Sequence, residues 1–266
     1  MHAGWNTLIK LNRDGTAAIM LIMTAAGLLA LPLLPFFAPP RGKGLLLLAV
    51  SVPAHILYYA WLNRAYAKGD MGQVYPLARG AAPLLSAIAS LALPGKGLSP
   101  STWVAIIVLS CGIMLMALRG GAGALRGQAV RLALTTSVFI AAYTLIDGWG
   151  GRLSGSGAGF ALWLMALEAP AIVAIAPWWG GAGIYRRMAL AWKTGLAGGF
   201  LAAAGFTMVI AAMSAAPIAV VAALRESSIL FALALSWLAL KEHPSLWRML
   251  SGMVILAGVI GLRLAA

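Results

Sequence analysis

Residues 74–85, VYPLARGAAPLL, and 220–231, VVAALRESSILF, each set an arginine inside an apolar run: Arg79 in the first, Arg225 in the second. The same offset aligns Val74, Leu84 and Ser90 with Val220, Leu230 and Ser236. After a short gap Pro100, Ser101 and Trp103 match Pro244, Ser245 and Trp247. A guanidinium at the centre of a bilayer costs at least about 2.5 kcal/mol even on the gentlest insertion scales, so it turns toward a partner, a cavity or a substrate. Two of them at matching places in a duplicated chain point to a transport site.

The rest of the sequence supplies the bilayer. Of 266 residues, 62% are hydrophobic and only 9% charged, and the mean hydropathy is strongly positive, a composition foreign to soluble domains of this size. The apolar runs are long enough for helices to cross about 30 Å of hydrocarbon, and too continuous for the alternating strands of an outer-membrane barrel. The expected fold class is therefore all-α and polytopic. Spans are expected at 16–38, 44–66, 71–93, 102–118, 129–148, 157–178, 191–213, 217–240 and 246–264, nine in all. The opening MHAGWNTLIK, with Trp5 and Lys10 as interfacial residues, reads as the end of a tenth helix whose first half is missing.

A net charge of +13 would suggest nucleic acid in a soluble protein. Here most Lys and Arg fall in short Gly- and Pro-rich connectors such as 39–44, 93–100, 119–128 and 180–187, where they set topology; nucleic-acid binding is not expected. With the fragmentary first helix counted, the connectors after odd-numbered helices are the richer in cations, which places that side in the cytoplasm. No connector is large enough for a soluble domain, and the start lacks the pattern of a secretory signal. Cys111 has no disulfide partner, and the three histidines lack metal-ligand spacing, so neither a metal nor a cofactor is expected.

If each copy of the repeat holds five helices, an odd number, the second is inserted upside down relative to the first, as in many secondary carriers. At this point the chain resembles the EamA-type transporters of the drug/metabolite transporter superfamily, which have ten helices in two five-helix repeats. The resemblance spans the whole chain and is carried by HAGWNTLIK, LNRAYAKGDMGQVYPLARGAAPLL at 62–85, AAYTLIDGWG at 141–150, and APIAVVAALRESSILFALALSWLALKE at 216–242 followed by Gly252 and Gly258. It implies one repeat over 1–120, truncated at its start, and a second over 121–266, in a multi-pass protein of the plasma membrane. Two departures stand out. The family's first helix normally begins before a motif like HAGWNTLIK, so the resemblance implies a first helix without its upstream half; and where the first repeat of the family often ends in Gly-Glu this chain has Pro94, Gly95, Lys96 and Gly97, while Lys241 and Glu242 keep the acidic turn in the second.

Several side chains are candidates for the work. Arg79 and Arg225 offer a rigid fork of donors to a carboxylate or phosphate. Because adjacent helical residues do not face each other, Glu226 is expected to seek another helix, with Arg79 as a partner; that ion pair would serve either packing or the substrate. Glu168 lies inside ALWLMALEAPAIVAIA, where an ionised carboxylate is costly unless paired or wet. It would suit a proton-coupled carrier, or else pair with one of the arginines or face lipid. Tyr75 and Tyr143 complete the substrate-binding set. Asp147 reads as an interfacial residue or a gate, His55 as a satisfied packing histidine or a proton relay, and Asp70 as an N-cap. Tyr58, Tyr59 and Trp61 belong to an aromatic belt or line a cavity. Pro53, Pro83 and Pro170 fall inside spans and can kink them, as gating or as static packing features. Gly195 and Gly199 form a small-residue seam for close contact inside the bundle, or between protomers of a homodimer.

The expected function is a secondary active transporter, an exporter, of a small polar or amphipathic metabolite by alternating access. A flippase for a lipid-linked substrate and a non-transporting membrane scaffold are the alternatives. An enzyme is not expected, since no nucleophile, base and metal set converges, and no G-x-x-x-x-G-K-[ST] motif supports ATP hydrolysis. The expected partners are a small-molecule substrate and the lipid bilayer.

Overall fold

Long apolar segments in hydrocarbon must satisfy their peptide groups internally, and the helix is the local way to do so. The computed structural model describes residues 14–69, 71–92, 97–118, 127–238 and 245–265, and among these there are helices and turns but no strand. In chain order they are α1 (Gly15–Ala30, continued by a 3-10 turn at Leu31–Phe36), α2 (Lys43–Tyr66), α3 (Met71–Ser90), α4 (Pro100–Ala117), α5 (Gly127–Leu153), α6 (Gly157–Gly180), α7 (Ile184–Leu190), α8 (Trp192–Ala215), α9 (Ile218–Arg225), α10 (Ser228–Leu238) and α11 (Leu246–Ala265). The fragment 1–13, with Trp5 and Lys10, lies outside the described residues, as do Asp70, residues 94–96, Lys241 and Glu242.

Among the described residues, seven helices are long and apolar enough to cross a membrane: Gly15–Phe36, Lys43–Tyr66, Pro100–Ala117, Gly127–Leu153, Gly157–Gly180, Trp192–Ala215 and Leu246–Ala265. Their outward faces carry large apolar side chains; on α2 alone Leu45, Leu46, Val50 and Leu57 are exposed. A surface of that kind is expected to meet lipid rather than water. The chain is thus all-α and built as a multi-pass membrane protein. Of the other two expected spans, α3 is long enough, but Gln73, Arg79 and two internal prolines make it less apolar.

The run 217–240 differs from the single helix expected. It breaks after Arg225 into α9 and α10. Through the break the bonding tightens from four-residue to three-residue spacing: Glu226 N donates to Ala223 O at 3.0 Å, Ser227 N to Leu224 O at 3.0 Å, and Ile229 N to Glu226 O at 3.0 Å. The local sequence Glu226-Ser227-Ser228 explains the position, because short polar side chains compete with the helix for backbone partners. Helix α5 differs in the other sense, running on to Leu153 instead of ending near 148.

Helix ends are set by local chemistry. Asp14 Oδ1 accepts from Ala17 N at 2.9 Å, Ser99 Oγ from Thr102 N at 3.2 Å ahead of Pro100, and Ser156 Oγ from Gly159 N at 3.0 Å, each supplying a free first-turn donor with a partner. Pro177 removes the donor that would meet the Val173 carbonyl, and the Tyr185 hydroxyl donates to that carbonyl instead at 2.9 Å.

The chain forms two compact units, Met1–Ile56 with Ile146–Ala215 and Leu57–Leu145 with Ala216–Ala266. Neither coincides with a sequence repeat, for each draws on both halves, and the divisions fall within α2 and α5. In the first unit α1 packs on α6 and α8, around Ala18, Ile22, Ala26, Leu162, Met165 and Ala202. Both glycines of the expected seam pack on α1 inside this unit: a Cβ on Gly195 would press into the Leu21 side chain, and one on Gly199 would come within 2.7 Å of Ala25. In the second unit α4 packs on α3 and α11, around Ile106, Leu109, Ile113, Ala219, Ala223 and Ile255. There Gly258 lies so close to α4 that a Cβ would stand 2.6 Å from Leu109 N, and one on Gly112 would stand 2.8 Å from Ile255 N. Small residues let backbones approach where lipid gives no hydrophobic drive between helices.

Candidate functional site

The structure gathers the predicted residues into two clusters, one in each compact unit. In the second unit, α3 brings Arg79 to the break between α9 and α10. Arg79 is 3% exposed and Glu226 not at all, and Arg79 Nε stands 2.8 Å from Glu226 Oε2. This is a charge contact whose alignment falls short of a hydrogen bond, since neither atom has a hydrogen-bond partner among the described residues. Arg225 Nε donates to the other oxygen, Glu226 Oε1, at 3.4 Å.

That last contact corrects the expectation that neighbours in sequence cannot meet. They cannot on a continuous helix, but α9 ends at Arg225 and Glu226 sits in the turn, which swings its carboxylate toward both arginines. Two guanidinium groups therefore share one carboxylate, leaving one buried positive charge over. Arg79 Nη2 is likewise buried and has no hydrogen-bond partner among the described residues, an arrangement that normally asks for an explanation.

Aromatic side chains surround this cluster. The Tyr75 ring centre, one helical turn before Arg79, lies 5.8 Å from the guanidinium carbon, within cation–π reach. Tyr143 and Tyr58 are electrostatic neighbours of Arg79 as well, and Tyr58 packs on Tyr143 at 5.3 Å and on Tyr59 at 4.9 Å between ring centres. Trp61 packs on Phe139 at 5.9 Å and carries Arg64 over its face at 4.4 Å. Pro83 is buried in α3 at the position whose missing N–H would have met the Arg79 carbonyl. The residue holding the surplus charge thus also has a backbone acceptor released from the helix ladder.

The first unit holds the other cluster. Asp147, His55 and Glu168 are 0%, 4% and 5% exposed. Ser51 Oγ donates to Asp147 Oδ1. His55 Nε2 stands 3.5 Å from Asp147 Oδ2 and Nδ1 stands 3.8 Å from Glu168 Oε1. The ring is held further by the Ser51 carbonyl at 3.1 Å and hydroxyl at 3.2 Å from Nδ1, and by the Phe206 ring edge-on at 5.9 Å. Asp147 sits within α5 and is bonded to Ser51 of α2. His55 is the partner that Glu168 meets.

Sequence reading missed Ser51 and Phe206. Ser51 carried a signal, four residues before His55 and so on the same helical face; Phe206 carried none. Among the described residues no group of His, Cys, Asp and Glu is arranged to hold a metal ion.

No family model and no curated protein matches this chain. Its fold is similar to that of a protein of known crystal structure, with a TM-score of 0.68 over 98% of this chain and 91% of the other at 17% sequence identity. At that identity the likeness is one of fold alone.

Proposed function

We propose that the chain is a secondary transporter of the plasma membrane that carries a small metabolite with an anionic group, a carboxylate or a phosphate, bound at the Arg79–Glu226–Arg225 cluster. The observation that carries this reading is the charge count: two buried guanidinium groups, one carboxylate between them, and an Arg79 Nη2 left without a hydrogen-bond partner among the described residues. An anion would supply both the missing charge and the missing acceptor, and a forked pairing with arginine would orient it. The faces of Tyr75 and Tyr143 suit the less polar part of an amphipathic substrate.

The break between α9 and α10 supports the same reading, because carriers commonly build their sites where a membrane helix is interrupted. So does the resemblance to EamA-type transporters and the duplicated pattern around Arg79 and Arg225, which fits two inverted five-helix repeats. Binding would shift the balance between inward- and outward-open states to the extent that the two states hold the anion differently.

The test is flux of a panel of labelled metabolites, anionic and neutral, through proteoliposomes holding the purified chain. Substrate-specific flux that is lost in Arg79→Gln, with the variant still folded in the membrane, is the expected result. Normal flux of every anionic substrate in that variant would remove Arg79 from the site.

A further inference from the structure

The cluster in the first unit has the opposite imbalance. It contains two carboxyls, Asp147 and Glu168, and one imidazole, His55, all buried. The ring nitrogens face oxygen atoms: the Ser51 carbonyl and hydroxyl stand within hydrogen-bond distance of Nδ1, at 3.1 and 3.2 Å, while Glu168 Oε1 at 3.8 Å from Nδ1 and Asp147 Oδ2 at 3.5 Å from Nε2 are charge neighbours. The Ser51 hydroxyl can accept because its own hydrogen goes to Asp147 Oδ1. A proton therefore belongs on each nitrogen, or between Nε2 and the carboxyl it faces, and His55 with Asp147 makes a balanced pair.

Glu168 is then the remaining charge. Its Oε1 stands 3.8 Å from His55 Nδ1 and has no hydrogen-bond partner among the described residues. Among the described residues, the elements packed against α6 show no other ion pair to Glu168. Gly15–Phe36 contains no ionisable side chain; α8 has only Lys193, exposed in its first turn; Arg152 of α5 donates to the Met213 carbonyl at 2.8 Å; and Arg187 of α7 is engaged with Asp14. Tyr185 and Arg186 complete α7, and Lys43 begins α2. A carboxyl in such a place is neutral with a proton and a lone buried charge without one.

We propose that Glu168 is a proton-exchange site beside the balanced His55–Asp147 pair, with the His55 ring held in place by Asp147 and Ser51. Loading forms one O–H bond on the carboxylate with a proton taken from hydronium, leaving water; unloading returns the proton to water, and no electrons are exchanged. Resting on the transport reading above, this makes the proton the coupling ion.

The test is infrared difference spectroscopy of the purified chain in lipid as pH is stepped, without substrate or gradient. The sequence has only six carboxyl side chains, so bands are assignable. The expected result is a carboxylic-acid band that titrates within the pH range over which the chain stays folded, is lost in Glu168→Gln, and changes midpoint in Asp147→Asn. If Glu168→Gln does not fold, Glu168→Asp keeps a carboxyl and should displace the band. A titrating band unchanged by substitution at Glu168, or no titrating carboxyl in that range, overturns the proposal. Substrate counterflow without the Glu168 band would sink the proton site and leave the carrier; the band without any flux would do the reverse.

Discussion

Glu226→Gln removes the only carboxylate between Arg79 and Arg225 while keeping the shape of the side chain. In wild type the three groups sum to +1; the variant leaves two guanidinium groups with nothing between them, and the sum becomes +2. Opposite charges about 4 Å apart at an effective dielectric near 20 attract by about 4 kcal/mol, in line with the roughly 3–5 kcal/mol lost when one partner of a buried pair is removed. That corresponds to a shift of about 10²–10⁴ in the unfolding equilibrium. Arg79→Gln should be milder, because Arg225 and Glu226 remain a neutral pair. Adding Arg79→Gln to Glu226→Gln brings the sum back to +1, so the double variant should regain part of the loss, with a coupling of about 1–3 kcal/mol. The assay is reversible unfolding in mixed micelles of all four proteins, followed by circular dichroism. Wild-type stability in Glu226→Gln, or strictly additive losses in the double variant, would refute the charge-sharing argument.

Two further outcomes follow from packing and capping. On α11, Gly258→Ala would drive a Cβ to 2.6 Å from the Leu109 backbone, whereas a Cβ on Gly252 would make ordinary contacts with Leu233 at 3.6 Å and Leu230 at 3.7 Å. The first should cost about 1–3 kcal/mol as overpacking, the second nothing or a slight gain in helix propensity; equal effects in unfolding measurements would count against the close approach of α4 and α11. At the start of α1, the Ala17 N–H bond and the Arg187 guanidinium at 2.6 Å hold the Asp14 carboxyl below its ordinary value of 3.8. A lowered folded value means that the contribution is full above the unfolded value and is lost as pH falls through the folded one. Asp14→Asn, which keeps the cap, should flatten stability against pH in that acid range, and Asp14→Ala should cost about 1 kcal/mol above it; an unaltered acid profile in Asp14→Asn would contradict the assignment.

The helices were legible because apolar length is a one-dimensional signal: the seven membrane-length helices begin and end within a few residues of expectation. The break at Glu226 was not, since Ala, Val and Leu on both sides favour helix and only Glu-Ser-Ser hints otherwise. Pairing was legible where spacing or repetition announced it, as for Arg79 with Glu226. It was hidden where chain-distant residues meet: Asp147 reaches Ser51 and His55 across the whole of the second unit's first segment, and no local pattern in YTLIDGWG announces that contact. The same blindness made Glu168 look like a partner for arginine when its neighbour is a histidine.

The unequal count of charges around Glu226 also has an electrical meaning. While empty, the cluster carries one fixed positive charge at a helix break in an apolar run; on the transport reading proposed above, a docked monovalent anion would cancel it. Moving a unit charge through the full membrane voltage is worth about 2.3 kcal/mol per 100 mV. Voltage would therefore pull on this cluster in the vacant protein and hardly at all in one whose surplus charge an anion has cancelled.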